Sequence, residues 1–334
     1  MALVGPTASG KSGIALQVAD RFGAQRPTAG TQGPVGVELV SVDSMAVYRG
    51  MDIGTAKPTG EVRARVPYHL VDLVEPSDEF TVQQFQQAAR AVLSDISGRG
   101  NAALLVGGTG LYLRSVVDDL TFPGRFPEVA AELSARIDRA GPDGSPDQEA
   151  VLEQLHQRLA TLDPVGAARI EPSNQRRLVR ALEVTLGAGR PFSEFGPGLE
   201  QYPPSPVTMV GVDREAGELD RRIGERFEEL MDRGLLDEVA ALAARPGGIS
   251  RTARQALGYR ELLAHLEEGL PLVQAVALAV QRTRTFARRQ RAWFRRDPRI
   301  VWVDPTIDPV GAVVAIVAND PGTPVGVGEW TRTR

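Results

Sequence analysis

Residues 2–12 read Ala-Leu-Val-Gly-Pro-Thr-Ala-Ser-Gly-Lys-Ser. A short apolar run feeds Gly5. Lys11 to Phe22 then carries Ile14, Leu16, Val18, Ala19 and Phe22 at helical spacing. Strand, glycine loop and helix form the context in which the pattern G-x-x-x-x-G-K-[ST] has chemical meaning. The glycines let the backbone curl so that several N–H groups face one anion, and the helix start adds its positive end. Lys11 is expected to neutralise phosphate oxygens, and the Ser12 hydroxyl to hold Mg²⁺. The pattern names a phosphate or pyrophosphate ligand but not which one.

Outward from this loop, Glu38 to Val42 reads as a second strand ending at Asp43, and Ala102 to Val106 as a third, running into Gly107-Gly108-Thr109-Gly110 and a helix from Leu111. Tyr68 to Val74 has the composition of a strand and Thr81 to Ile96 that of a helix. Strands alternating with helices predict a mostly parallel, doubly wound α/β sheet. After Leu120 the strands stop. Helices are expected over Glu128–Arg139, Asp147–Leu162 and Arg176–Leu186. Strand character returns at Val207–Val212, followed by helices at Glu218–Arg233, Leu235–Ala244, Gln255–Glu267 and Pro271–Arg296, with an edge strand at Arg299–Val303. The expected organisation is a discontinuous core, 1–118 with 203–320, interrupted by a helical insertion over 119–202. The Gly/Pro-rich stretch Ala24–Gly36 reads as a surface loop, and the tail 321–334 as frayed.

Composition narrows the function classes. The 334 residues have no cysteine, which excludes disulfides and thiolate metal sites, and their three histidines, His69, His156 and His265, lie far apart. No apolar run approaches the roughly 18 residues of a membrane span. The first residues read as a strand rather than a signal peptide, so a cytoplasmic location without membrane association is expected. The net charge of −4 does not suggest a nucleic-acid binder, yet residues 282–299 read RTRTFARRQRAWFRRDPR with Asp297 the only acid. That helix is either a solvated face paired with acidic neighbours or an RNA-binding face. Lysine occurs only as Lys11 and Lys57. Asp43 sits where open α/β sheets bind ligands. From its position it suits either a metal carboxylate or a general base.

The chain resembles the tRNA dimethylallyltransferases, the bacterial isopentenyl-tRNA transferases. The resemblance rests on GPTASGKS, DSMAVYRGMDIGTAKP, PYHLVDLVEPSDEFTVQQF, LLVGGTGLYL, DPVGAARI, RRLVRALEV, QALGYRE and FARRQRAWFRR, spread in order over residues 5 to 296. It implies a core like that of the P-loop NTPases. It also implies transfer of a dimethylallyl group from dimethylallyl diphosphate to N6 of adenine 37 beside the tRNA anticodon. On that basis Gly5, Pro6, Thr7, Ala8, Ser9, Gly10, Lys11, Ser12 and Arg226 hold the diphosphate with Mg²⁺ at Ser12. Asp43 is the general base, and Thr109 and Lys11 complete the catalytic group. The anticodon arm would be held by Asp43, Ser44, Met45, Ala46 and Thr109. Arg176, Arg177, Leu178, Val179 and Arg180 of the insertion would add to this, with Gln255, Gly258, Tyr259 and Arg260. Arg288, Arg289, Gln290, Trp293 and Arg295 of the long helix complete the set. A monomer is expected.

Three positions depart from the family pattern. Ala46 replaces a usual glutamine, Ala130 a usual arginine and Ala292 a common threonine. None of these touches Lys11, Ser12, Asp43 or Thr109. No C-terminal Cys/His finger is present, as expected of the short bacterial form. Two other functions compete. One is a P-loop kinase or NTPase acting on a small metabolite, which would turn over ATP and ignore RNA. The other is an RNA-binding regulator with a vestigial phosphate loop, whose RNA binding would survive Lys11→Ala.

Overall fold

The computed structural model describes residues 1–23, 36–196 and 198–318. The tail from Pro321 and all but Gly36 of the 24–36 stretch lie outside these residues. In chain order the elements are β1 (Ala2–Val4), α1 (Lys11–Gly23), β2 (Val37–Val42), α2 (Gly60–Arg65), β3 (Tyr68–His69), α3 (Val82–Gly98), β4 (Ala102–Gly107) and α4 (Gly110–Val117). Then come α5 (Pro127–Asp138), α6 (Pro146–Leu162), α7 (Pro164–Ala167) and α8 (Gln175–Ala188). The chain continues through β5 (Met209–Val212), α9 (Ala216–Asp232), α10 (Leu235–Ala243), α11 (Tyr259–Glu268), α12 (Leu272–Arg295), β6 (Ile300–Val303) and α13 (Pro309–Ala318). None of the described helices is long and apolar enough to cross a membrane.

Two compact units result: Met1–Asp118 together with the chain from Pro204 onward, and Asp119–Pro203. The first holds one six-stranded sheet in the order β3-β2-β4-β1-β5-β6. Every pairing is parallel, so the α/β expectation holds. Parallel strands covered on both faces must be apolar nearly throughout, and β1, β4 and β5 are. Alternate residues supply two cores. Val40, Val42, Leu105 and Met209 pack towards Phe85 of α3, Tyr112 of α4 and Phe227 of α9. Leu3, Leu39, Leu104 and Val210 pack towards Ile14 and Val18 of α1 and Val313 of α13.

The second unit is helical, as its patterning indicated. Leu133, Ile137, Leu155, Leu159, Leu178 and Leu182 form its core. Asp163 is almost fully buried and supplies a cap. Its carboxylate accepts from Gly166 N, and from both the backbone and the hydroxyl of Ser193. Arg180 is tied to Glu183 and to the carbonyls of Pro123 and Gly124.

Two local expectations change. The strand anticipated over Tyr68–Val74 stops at His69, because Leu70 and Asp72 take positive φ (61° and 57°), which no strand accommodates. The helix anticipated from Gln255 starts at Tyr259, behind Gly258 at φ 87°. α13 is not among the elements expected from the sequence. Its Val-rich run lacks helical periodicity, and burial of Val313 and Val314 against the sheet overrides propensity. His69 makes a structural hydrogen bond, its Nε2 lying 2.6 Å from Glu38 Oε2. Glu38 is buried, which alone would raise its pKa. Hydrogen bonds from Arg99, Asn101 and His69 outweigh that and hold it down at about 2.

Lys57 does not face a substrate. Its ammonium is buried and donates to Tyr48 O, to Asp52 Oδ1 at 2.8 Å and to Asp72 Oδ1 at 2.6 Å, so all three protons are used. Asp72 is held a second time by Arg63 at 2.6 Å. This knot closes the loop that follows Asp43. Lys57→Met removes one partner and leaves Asp72 and the Tyr48 carbonyl short of a donor. We expect a loss of about 2 kcal/mol in urea unfolding, the cost of a buried carbonyl left without its donor, since Asp52 and Asp72 reach solvent and Asp72 keeps Arg63. A loss below about 1 kcal/mol would show that the knot is dispensable.

Candidate active site

Because all strands run in parallel, the segments after β1, β2, β4 and β5 emerge at one edge of the sheet. Glycines let them touch. A Cβ on Gly5 would run into the carbonyl of Val212, and one on Gly107 into the carbonyl of Val42. One on Gly110 would strike the indole of Trp293. The GGTG segment is therefore held against β2 on one side and α12 on the other.

The phosphate loop is braced through its carbonyls. Lys11 Nζ donates to Pro6 O at 3.0 Å, Arg222 Nε to Ala8 O at 2.9 Å and Arg214 Nε to Ser9 O at 2.9 Å. Ala8 and Gly10 take left-handed φ of 61° and 96°, which turns successive N–H groups to one side. Ala8, Gly10, Lys11, Ser12 and Gly13 form one wall of a cavity of about 250 Å³, with Arg222, Glu225, Arg226 and Glu229 of α9 opposite. Of the expected diphosphate group, then, Ala8, Gly10, Lys11, Ser12 and Arg226 line the cavity. Gly5, Pro6, Thr7 and Ser9 do not. Gly5 packs on β5, Ser9 is buried, Pro6 O is taken by Lys11, and Thr7 N–H is bonded to Gln290.

Two cations are confined in this cavity, and both are shifted there. Lys11 is lowered to about 8, first by loss of hydration, then by Arg226 nearby, with the charge of Asp43 pulling the other way. Arg226 is lowered too, mainly by desolvation, and Asp43 again opposes the shift. An anion entering the cavity relieves both.

Asp43 Oδ1 accepts from Met45 N at 2.8 Å and Ala46 N at 3.3 Å, an Asx turn that fixes the carboxylate through this one oxygen. Ser44 N donates to Thr109 Oγ1 at 3.3 Å. The β2 and β4 segments are thus bonded to each other directly beside Asp43. Burial and then the charge of Asp43 push the Tyr68 phenol up to about 12, against Arg63. Ala46 is buried in the turn, where its N–H serves Asp43.

The expected RNA residues divide by exposure. Arg176, Arg177, Gln255, Arg260, Arg288, Arg289 and Arg295 are exposed, and Arg180, Val179, Ser44, Met45 and Trp293 partly so. Ala46, Leu178, Gly258, Tyr259 and Gln290 are buried, so the expectation of an outward contact does not hold for them. Leu178 belongs to the helical core, and Gly258 sits under Phe227. Tyr259 donates its hydroxyl to Glu238, whose carboxylate also collects the N–H groups of Asp52, Ile53 and Gly54. Gln290 bonds to the loops themselves. On α12 several arginines are paired, as the solvated-face reading required: Arg282 with Glu261, and both Arg291 and Arg295 with Asp213. Sequence reasoning missed Arg214 and Arg222. Arg222 could have been found, since it stands four residues before Arg226 on one face of the same helix.

Among the described residues no cluster of three or more His, Asp or Glu side chains forms a ready-made metal cage. The cavity does offer the Ser12 hydroxyl and the carboxylates of Glu225 and Glu229 beside an anion site. Mg²⁺ is commonly held by one or two protein oxygens plus phosphate oxygens, so this donor set fits it.

The family model described as IPP transferase matches residues 46–297. A tRNA dimethylallyltransferase of Desulforudis audaxviator is 41% identical over 319 residues, which is 95% of this chain and 96% of the relative. Another, of Geobacter metallireducens, is 43% identical over 303 residues, 90% of each. The crystal structure of the full-length tRNA isopentenylpyrophosphate transferase of Bacillus halodurans is 34% identical, with a TM-score of 0.63 over 94% of this chain and 93% of that one.

The depressed Lys11 makes anion binding pH-dependent. Below about 8 the ammonium is charged before the ligand arrives; above that it must take up a proton on binding, so affinity falls as pH rises. Calorimetry with inorganic pyrophosphate should show a decline above pH 8, accompanied by proton uptake. Lys11→Ala should bind roughly ten- to a hundredfold more weakly and lack that part of the decline, which separates it from the ligand's own titration. Parallel profiles for the two proteins would remove Lys11 from the anion site.

Proposed function

The chain belongs to the IPP transferase family, and from that premise we propose that it moves a dimethylallyl group from dimethylallyl diphosphate to N6 of adenine 37 of tRNA, releasing diphosphate. The observation that carries this reading is the meeting, at one sheet edge, of a cationic diphosphate cavity with a carboxylate. Asp43 lies near enough to act electrostatically on both Lys11 and Arg226.

Adenine N6 is a poor nucleophile because its lone pair is delocalised into the ring. In the proposed step N6 bonds to C1 of the donor as the C1–O bond breaks, and the bonding electron pair leaves on the diphosphate. The N6 proton passes to Asp43 Oδ2, the other carboxylate oxygen being held by the Met45 and Ala46 amides. The allylic carbon tolerates positive charge, so much of the barrier lies in the departing anion. Lys11, Arg222, Arg226 and the N–H groups opening α1 are preassembled for that charge. Mg²⁺ held by Ser12 and the leaving group would supply further charge neutralisation there. Thr109 accepts from Ser44 and keeps its own proton for donation towards the acceptor.

On the RNA side, an anticodon-loop base is more easily splayed out than one in a duplex. Arg176 and Arg177 of the helical unit are exposed, as are Arg260, Arg288 and Arg289 of the other; they suit phosphate contacts in the anticodon arm. The partly exposed Trp293 suits stacking.

The test uses purified protein, Mg²⁺ and an unmodified tRNA transcript with adenines at positions 36 and 37. Labelled dimethylallyl diphosphate is supplied in one tube and labelled ATP in another. Label should enter RNA only from the allyl donor, and Asp43→Ala should slow transfer by roughly a hundredfold or more. ATP consumed irrespective of RNA would establish a small-molecule kinase instead.

A further inference from the structure

Helix α12 turns an arginine-rich face outward, but Gln290 points inward and is only 8% exposed. Its Oε1 accepts the N–H of Thr7 at 2.8 Å, and its Nε2 donates to the carbonyl of Gly108 at 2.9 Å. Thr7 belongs to the phosphate loop after β1. Gly108 adjoins Thr109, which is bonded to Ser44 beside Asp43. One carboxamide thus joins the loop that holds the leaving group to the loop that flanks the base.

The chemistry and the space both select this side chain. A carboxamide is neutral and offers an acceptor and a donor side by side, and only one orientation satisfies both partners. A Cβ on Gly108 would collide with Gln290 Nε2, so that glycine is what admits the amide. One turn further along α12, Trp293 covers Gly110 in the same manner. The Thr7 N–H is spent on this contact and is not offered to the cavity.

We propose that Gln290 is a positioning residue for the transfer: it fixes the phosphate loop and the Thr109 loop at one separation, so that donor C1 and acceptor N6 meet at reacting distance. This rests on the transfer reading above. Bond formation requires the two atoms about 3–3.5 Å apart, and a misplacement of about 1 Å costs on the order of a hundredfold. Neither substrate bound alone senses that separation. Loss of the bridge therefore lowers the rate at saturation and leaves each affinity in place.

Wild type, Gln290→Met and Gln290→Glu decide the matter. Gln290→Met keeps the volume and loses both bonds. Its single-turnover rate at saturating tRNA and donor should fall on the order of a hundredfold, with pyrophosphate and tRNA affinities within about threefold of wild type. Gln290→Glu, ionised, sets a carboxylate against the Gly108 carbonyl. Once protonated it again presents one acceptor and one donor, so its rate relative to wild type should climb as pH falls, while that of Gln290→Met stays flat. A loss of tRNA affinity with an unchanged saturated rate would make Gln290 an RNA contact and overturn the proposal. So would identical pH profiles for the two variants. If wild type transfers no dimethylallyl group, the functional reading fails, and the bridge is judged by amide exchange. Pyrophosphate should slow exchange in residues 3–13 and also in 104–113 of wild type, but only in 3–13 of Gln290→Met. The same response in both proteins rejects the bridge.

Discussion

Everything at this sheet edge depends on main chain approaching main chain at distances that a side chain would forbid. Gly5 lies against the carbonyl of Val212, Gly107 against that of Val42, and Gly108 admits the amide of Gln290. These contacts bring the ends of β1, β2, β4 and β5 close enough to share hydrogen bonds. A parallel sheet offers its carboxyl edge to ligands as a matter of topology. Here glycine packing converts that edge from a row of separate loops into one rigid surface.

Charge is organised by the same economy of contact. The carbonyls of Pro6, Ala8 and Ser9 are all occupied by cationic side chains, Lys11, Arg222 and Arg214. The loop's acceptors are silenced and its positive character is left to face the cavity. Burying Lys11 and Arg226 costs energy until an anion arrives, which is visible as their lowered pKa values, set first by lost hydration and only then by neighbouring cations. An entering anion offsets that cost, so the unfavourable arrangement is a store of binding energy directed at an anionic ligand.

Much of this was legible beforehand. The G-x-x-x-x-G-K-[ST] pattern, the strand–helix alternation and the return of strand character after Val207 identified a parallel sheet with an intervening helical segment, since each rests on local periodicity. What escaped was set by tertiary contact. Lys57 and Tyr259 lie in informative motifs, and Tyr259 was expected to meet RNA, but a motif does not say which way a side chain points. Lys57 is saturated by Tyr48, Asp52 and Asp72, and Tyr259 is packed beneath Gly54. Gln290 was expected to meet RNA because the family resemblance places it in the Arg-rich segment of the long helix. In a helix, adjacent residues face in different directions, and its partners Thr7 and Gly108 lie more than 180 positions away in sequence. The arginines of α9 were half seen, Arg226 without Arg222.

The discontinuity of the sheet has a consequence for synthesis. A ribosome delivers β1 through β4 first, and these can pair in the order β3-β2-β4-β1 with one flank of β1 bare. The whole of Asp119–Pro203 must then be made before β5 can cover that flank. Arg214, Arg222 and Arg226 follow β5, and Gln290 arrives later still. The phosphate loop is thus made well before the side chains that brace it, so a chain stopped short of Gln290 has no finished anion site.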